Sequence, residues 1–215
     1  MPQVTEFPST DLLTNRSESL LQFPSAPLSF QLREGTASLH REAETKLGLP
    51  DAITTLADYK RCLERFYRLY RPIERGFTHF TDWAANGLDL SVRVHSVRLA
   101  ADLKALGIAP LRLEDAPKPS QPILPDFAHA LGAMYVIEGS SLGSQFILPQ
   151  LIKVLGQQIV GADSFFRGRG AQTGAVWGAF RTSLDHYGAA HPDKTADVIH
   201  GAQVAFETIG TWMQR

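Results

Sequence analysis

Residues 127–155 read FAHALGAMYVIEGSSLGSQFILPQLIKVL, a long apolar segment with the pattern of a helix. Asp126, just before it, is a residue type that accepts the free amide hydrogens of a first helical turn. Pro149 marks a kink or break near the end. Gly139 and Gly143 stand four apart on one face, with Ser140 and Ser141 between them. Each glycine inside a helix costs roughly 0.5–1 kcal/mol relative to alanine. Such a bare face serves one of three ends. Another helix crosses at very close range, a flat ligand lies on the backbone, or the helix kinks and frees amides and carbonyls. On this stretch alone, close helix packing is the simpler reading.

The rest of the chain is also helical in pattern. Leu32, Leu39, Ala43 and Leu47 share one face of a first helix that begins near Ser29 and is stopped by Gly48 and Pro50. Leu56, Tyr59, Leu63, Phe66, Tyr70, Ile73, Phe77, Phe80 and Ala84 then alternate in steps of three and four, with Pro72 as a kink or break. Aromatics this large suit a mixed bundle core better than a coiled coil. A third helix is expected over 90–106 on Leu90, Val94, Val97 and Ala101, ended by Gly107, with a proline-rich connection over 107–125. After a loop over 156–172, a helix from Thr173 turns Trp177, Phe180 and Leu184 inward. A last helix from Asp193 to Met213 buries Val198, Ala205, Phe206, Ile209 and Trp212. No strand pair or internal repeat is evident. The expected fold is an all-α, single-domain bundle of about six or seven helices over 29–215. An irregular or partly disordered arm rich in Ser, Thr and Pro precedes it over 1–28.

The chain has 215 residues, a net charge of -1 and a pI near 6.7, so no global basic field points to nucleic acid or an anionic membrane. Cys62 is the single cysteine, which rules out an internal disulfide and suits a reducing compartment. It falls among Arg61 and Glu64 on what reads as the polar side of its helix, without a local activating group. The first residues lack a secretory-signal pattern, and no apolar run approaches the roughly 20 residues of a membrane span. The expectation is a cytoplasmic protein. Phosphate-cradling, zinc-protease, paired-cysteine and nucleophile-elbow motifs are all missing from the sequence.

The first helix carries a second stripe in LREGTASLHREAE, residues 32–44: Arg33, Ala37, His40 and Glu44. His40 and Glu44 are neighbours one turn apart. A carboxylate there holds one imidazole nitrogen and leaves the other for a metal. Arg33 lies roughly 10 Å along the same face. A flat anionic cofactor with a central metal, such as haem, would use the imidazole for its metal and the guanidinium for a carboxylate. The bland reading is a solvated ion pair, and a single histidine cannot build a structural zinc site. His79, His95, His129, His186, His191 and His200 show no metal-ligand spacing and read as structural or exposed. Arg167, Arg169 and Arg181 place positive charge around FFRGRGAQTGAVWGAFR, as a solvated turn or for carboxylate recognition.

Taken together, LREGTASLHREAE and GAMYVIEGSSLGSQF, in this order in a chain of this size, resemble the haem (heme) oxygenase family. The resemblance extends more weakly through FFRGRGAQTGAVWGAF and covers roughly residues 30–213. It is closest to bacterial members, including those that supply biliverdin to bacterial phytochromes. It implies a haem sandwiched between a proximal and a distal helix. His40 would bind the iron and Glu44 its second nitrogen. Gly139 and Gly143 would let the distal helix approach the haem face. Arg33 and, more loosely, Arg181 would meet propionates. Many animal members have an aspartate where Ser140 stands, and some bacterial members an asparagine where Ser141 stands, so the two serines here would order water without bringing charge. The implied reaction is cleavage of haem to biliverdin, iron and CO with O2 and electrons from a ferredoxin or a reductase, since no flavin or iron–sulfur motif is present. Two other readings stay open: a haem carrier that leaves its ligand intact, and a non-haem helical protein of the same fold.

Overall fold

The computed structural model describes residues 26–113, 119–120, 122 and 124–214; most of the expected arm and part of the proline-rich connection lie outside these. Seven α-helices occur among the described residues: α1 (Leu28–Leu47), α2 (Leu56–Phe77), α3 (Ser96–Ala105), α4 (Phe127–Leu155), α5 (Ser164–Arg167), α6 (Thr173–Ala190) and α7 (Thr195–Met213). The described residues include no strand. The fold is all-α, and the helices share one apolar core. No helix among the described residues is long and apolar enough to cross a membrane.

Capping chemistry explains most boundaries. Gly48 ends α1 in the left-handed conformation, with φ 61. Thr55 and Asp58 form a reciprocal capping box at the start of α2. The Asp126 side chain accepts from the His129 amide and opens α4. α2 and α4 run on through Pro72 and Pro149, so neither proline breaks its helix. Each removes one amide donor, while the buried residues on both sides keep the element packed.

Two boundaries differ from the sequence pattern for tertiary reasons. α2 stops at Phe77 rather than reaching Ala84, because the Trp83 indole returns to donate to the Phe77 carbonyl at 2.9 Å. Ala84 is exposed, and Trp83 takes the core position instead. The expected helix over 90–106 divides into a short 3-10 turn, Leu90–Val92, and α3. The Glu74 carboxylate of α2 accepts the His95 and Ser96 amides, so an acid from another helix supplies the N-terminal cap. α3 then buries Ser96, Leu99, Asp102 and Leu103, while Val97 and Ala101 face outward, against expectation.

α4 and α7 cross with backbone against backbone. A Cβ on Gly132 would sit 1.9 Å from the Val198 carbonyl oxygen, and one on Gly201 would sit 2.2 Å from that of His129. Both glycines are obligatory there, because backbone meets backbone. Near this crossing Asp126, His129 and Asp197 gather, but the Lys194 ammonium reaches both carboxylates at 3.2 and 3.0 Å and takes the place of a metal cation.

Candidate functional site

A cavity of about 250 Å³ opens between α1 and α4. Its α1 wall includes His40, Ala43, Glu44 and Leu47, and its α4 wall includes Tyr135, Gly139, Ser140, Leu142, Gly143 and Ser144. Phe66 and Tyr70 of α2, Phe165 and Phe166 of α5, Trp177 of α6 and Phe206 of α7 close it with aromatic rings. An apolar slot with a few polar groups is the usual make-up of a ligand site.

The two glycines behave differently from Gly132. A Cβ on Gly143 would meet nothing within 4 Å, and one on Gly139 would make ordinary contacts with the Trp177 ring at 3.6 and 3.7 Å. Helix packing therefore does not require either of them. They give α4 a bare backbone strip toward the cavity, and the close packing is carried at Gly132 and Gly201.

On the facing wall, His40 is exposed, with Nδ1 3.5 Å from Glu44 Oε2. That leaves Nε2 available as a ligand atom. The Phe206 ring stands edge-on to the imidazole at 5.5 Å and limits its rotation. Ser140 lines the cavity, accepts a hydrogen bond from the Tyr70 hydroxyl at 2.8 Å and donates to the Ile137 carbonyl at 2.7 Å. Burial pushes the Tyr70 hydroxyl well above its usual range, so Tyr70 is a neutral donor. Ser141 is buried and does not line the cavity, so of the two serines only Ser140 faces it.

Arg33 and Arg181 are exposed and lie outside the lining; Arg33 engages Glu34 and stacks over Phe30. Both nevertheless act on Tyr135, which does line the cavity. Burial raises the Tyr135 hydroxyl, and Thr36, Arg181 and Arg33 oppose the rise. Cys62 is buried rather than on a polar face, and desolvation pushes its thiol up to about 12, so it stays a protonated thiol.

The sequence pattern missed Tyr70 as a polar group of the site, because it reads there only as one more aromatic of the α2 stripe. It also missed a buried charge cluster behind α4. Arg93 and Arg169 converge on Glu138, with His95 beside them. Arg169 therefore does recognise a carboxylate, but one inside the protein.

The heme oxygenase family model matches residues 26–215. The chain belongs to the heme oxygenase family. The fold agrees: the heme oxygenase from Neisseria meningitidis, solved with NO and CO bound, superposes with a TM-score of 0.70. The two share 19% identity, with 88% of this chain and 92% of that one covered, so the likeness speaks for the fold. No curated protein sequence matches the chain. The residues lining the slot are chemically compatible with a haem. A free imidazole nitrogen stands on one wall, a side-chain-free strip faces it, and apolar rings line the sides.

Proposed function

We propose that the protein is a haem oxygenase that cleaves haem to biliverdin with release of iron and CO, using O2 and external electrons. The observation that carries this reading is the meeting of His40 and the bare Gly139–Gly143 strip as opposite walls of one cavity. A carrier needs the ligand but not the bare strip; a scaffold needs neither.

When bound, haem supplies the iron and the oxidisable ring of the reaction, and the chain's own residues do the rest. His40 would hold the iron through Nε2, and Glu44 orients the imidazole through Nδ1. Gly139 and Gly143 would let the backbone of α4 lie close against one face of a bound haem. Ser140 and Tyr70 hold a hydroxyl pair at that face, where they order water and pass protons without adding charge. The aromatic walls exclude bulk water and would hold a haem between them. Arg33 and Arg181 would meet its carboxylates.

Electrons come from a partner such as a ferredoxin or a reductase, because one buried cysteine cannot hold a cluster. A bilin-accepting phytochrome is the proposed recipient of the product, and the cytoplasm the proposed compartment. The test is to bind hemin, record the Soret band, and supply ascorbate or a ferredoxin system under air. The expected result is loss of the Soret band with appearance of a bilin band and ferrous iron. A shifted Soret band that persists through reduction would instead mark a carrier.

A further inference from the structure

Glu138 precedes Gly139 on α4 and is 3% exposed. Arg93 Nη1 lies 3.1 Å from its Oε2, while Arg169 Nη2 and His95 Nε2 each lie 3.5 Å from its Oε1. Burial alone would raise this carboxyl, but His95, Arg93 and Arg169 outweigh it and hold the group below its ordinary range. The three partners come from two remote stretches, the turn into α3 and the turn between α5 and α6. Each is held from behind. Arg93 stacks over Phe180 of α6, and Arg169 donates to the Val92 carbonyl at 2.5 Å. The His95 amide donates to Glu74 of α2, and its ring stands edge-on to Tyr70 at 5.9 Å. One carboxylate thus ties α2, the 90–96 segment, the turn before α6 and α6 itself to α4.

Stability is a weak motive for such a cluster. Replacing a buried ion pair with apolar packing is often neutral or favourable, because desolvation offsets the Coulombic gain. What several charges converging on one carboxylate supply is one fixed setting. Upstream, α4 is locked by backbone contact at Gly132. Downstream, Gly139 and Gly143 offer no side chains to hold it, yet Ser140 keeps its hydroxyl 2.8 Å from Tyr70. With about 3.6 residues per turn, a modest rotation of the helix would carry Ser140 off Tyr70 and turn the bare strip from the cavity.

We infer that Glu138 is a positioning residue: through Arg93, Arg169 and His95 it sets the rotation of α4 where the glycines begin, and so holds Ser140 and the bare strip toward the cavity. The purpose of that setting rests on the haem-cleavage reading; the test does not. Amide hydrogen exchange is measured on the haem-free protein, wild type against Glu138→Gln and Arg169→Met. Exchange over 139–144 is expected to rise about tenfold in Glu138→Gln and about threefold in Arg169→Met, while α7 amides over 198–209 change by less than about twofold. Arg169→Met leaves Arg93 and His95 on the carboxylate, so it decides alone should Glu138→Gln fail to fold. Unchanged exchange over 139–144 in Arg169→Met, or an equal rise in α4 and α7, would overturn the inference, the second because it marks a global stability effect. Absence of a Soret shift when hemin is added to wild type would overturn the proposed function and leave the exchange result standing.

Discussion

Three glycines of α4 give opposite expectations for one substitution. At Gly143 an alanine Cβ would meet nothing within 4 Å. Gly143→Ala therefore adds only the helix-propensity gain of roughly 0.5–1 kcal/mol. For a chain of this size each kcal/mol moves the midpoint by about 2–4 °C, so Tm should rise by about 1–4 °C. Gly139→Ala should behave similarly, since its Cβ would meet the Trp177 ring at 3.6 Å, an ordinary contact. At Gly132 the same Cβ would lie 1.9 Å from the Val198 oxygen and 2.7 Å from the Ala202 nitrogen. Neither backbone atom can step aside without parting α4 from α7, which costs about 3 kcal/mol or more, and Tm should fall by about 6–12 °C. The gain at Gly143 should reverse once a ligand is offered. Gly143→Leu fills the strip and should weaken hemin affinity at least tenfold, about 1.4 kcal/mol. Thermal melts by circular dichroism and hemin titrations on the same samples read both halves. A fall of several degrees for Gly143→Ala, or wild-type hemin affinity for Gly143→Leu, would refute the assignment of the bare strip to a ligand.

Tyr70→Phe removes the donor to Ser140 and should cost about 1 kcal/mol in denaturant unfolding, while slowing bilin formation far more than it weakens hemin binding. Asp102 is buried and accepts from the Ser164 amide and hydroxyl and the Phe165 amide, at 2.9, 2.6 and 2.8 Å. Asp102→Ala orphans the two amides that hold α5, and should cost about 2–4 kcal/mol and open the 160–170 region to limited proteolysis. Burial would raise Asp126, but hydrogen bonds from His129 and Lys194 take it from 3.8 down to about 2. Its folded value is depressed, so its contribution is complete above about pH 4 and disappears as pH falls toward 2. With the side chain partly exposed, that contribution is about 1 kcal/mol, and Asp126→Ala should flatten this part of the acid limb in stability–pH profiles.

Much of this architecture is legible in the sequence because helix starts, stops and stripes are local. Gly48 and Asp126 act within a turn of where they stand. The His40–Glu44 pair and the Gly139–Gly143 strip are likewise short-range patterns, and their spacing places each on one face. What stayed hidden depends on partners far along the chain. Trp83 ends α2 by returning to Phe77, and Glu74 starts α3 from another helix, so periodicity alone misplaced both boundaries and the buried face of α3. The two uses of glycine in α4 look identical in sequence; only the position of α7 separates Gly132 from Gly143. Ser140 and Ser141 differ by about 100° around the helix, and that rotation alone decides which one sees the cavity. Tyr70 and Glu138 acquire their roles from residues 70, 45 and 31 positions away or from similar separations, which no window of sequence reveals.

The central claim, that this cavity holds haem on His40, is tested most directly by the ligand spectrum of hemin in wild-type and His40→Ala protein. Wild type should show an imidazole-ligated Soret band at one equivalent. His40→Ala should lose that signature and regain it when free imidazole is added, because the Gly139–Gly143 wall remains intact. An identical spectrum in the two proteins would contradict the assignment of His40 and the orientation of the slot built upon it.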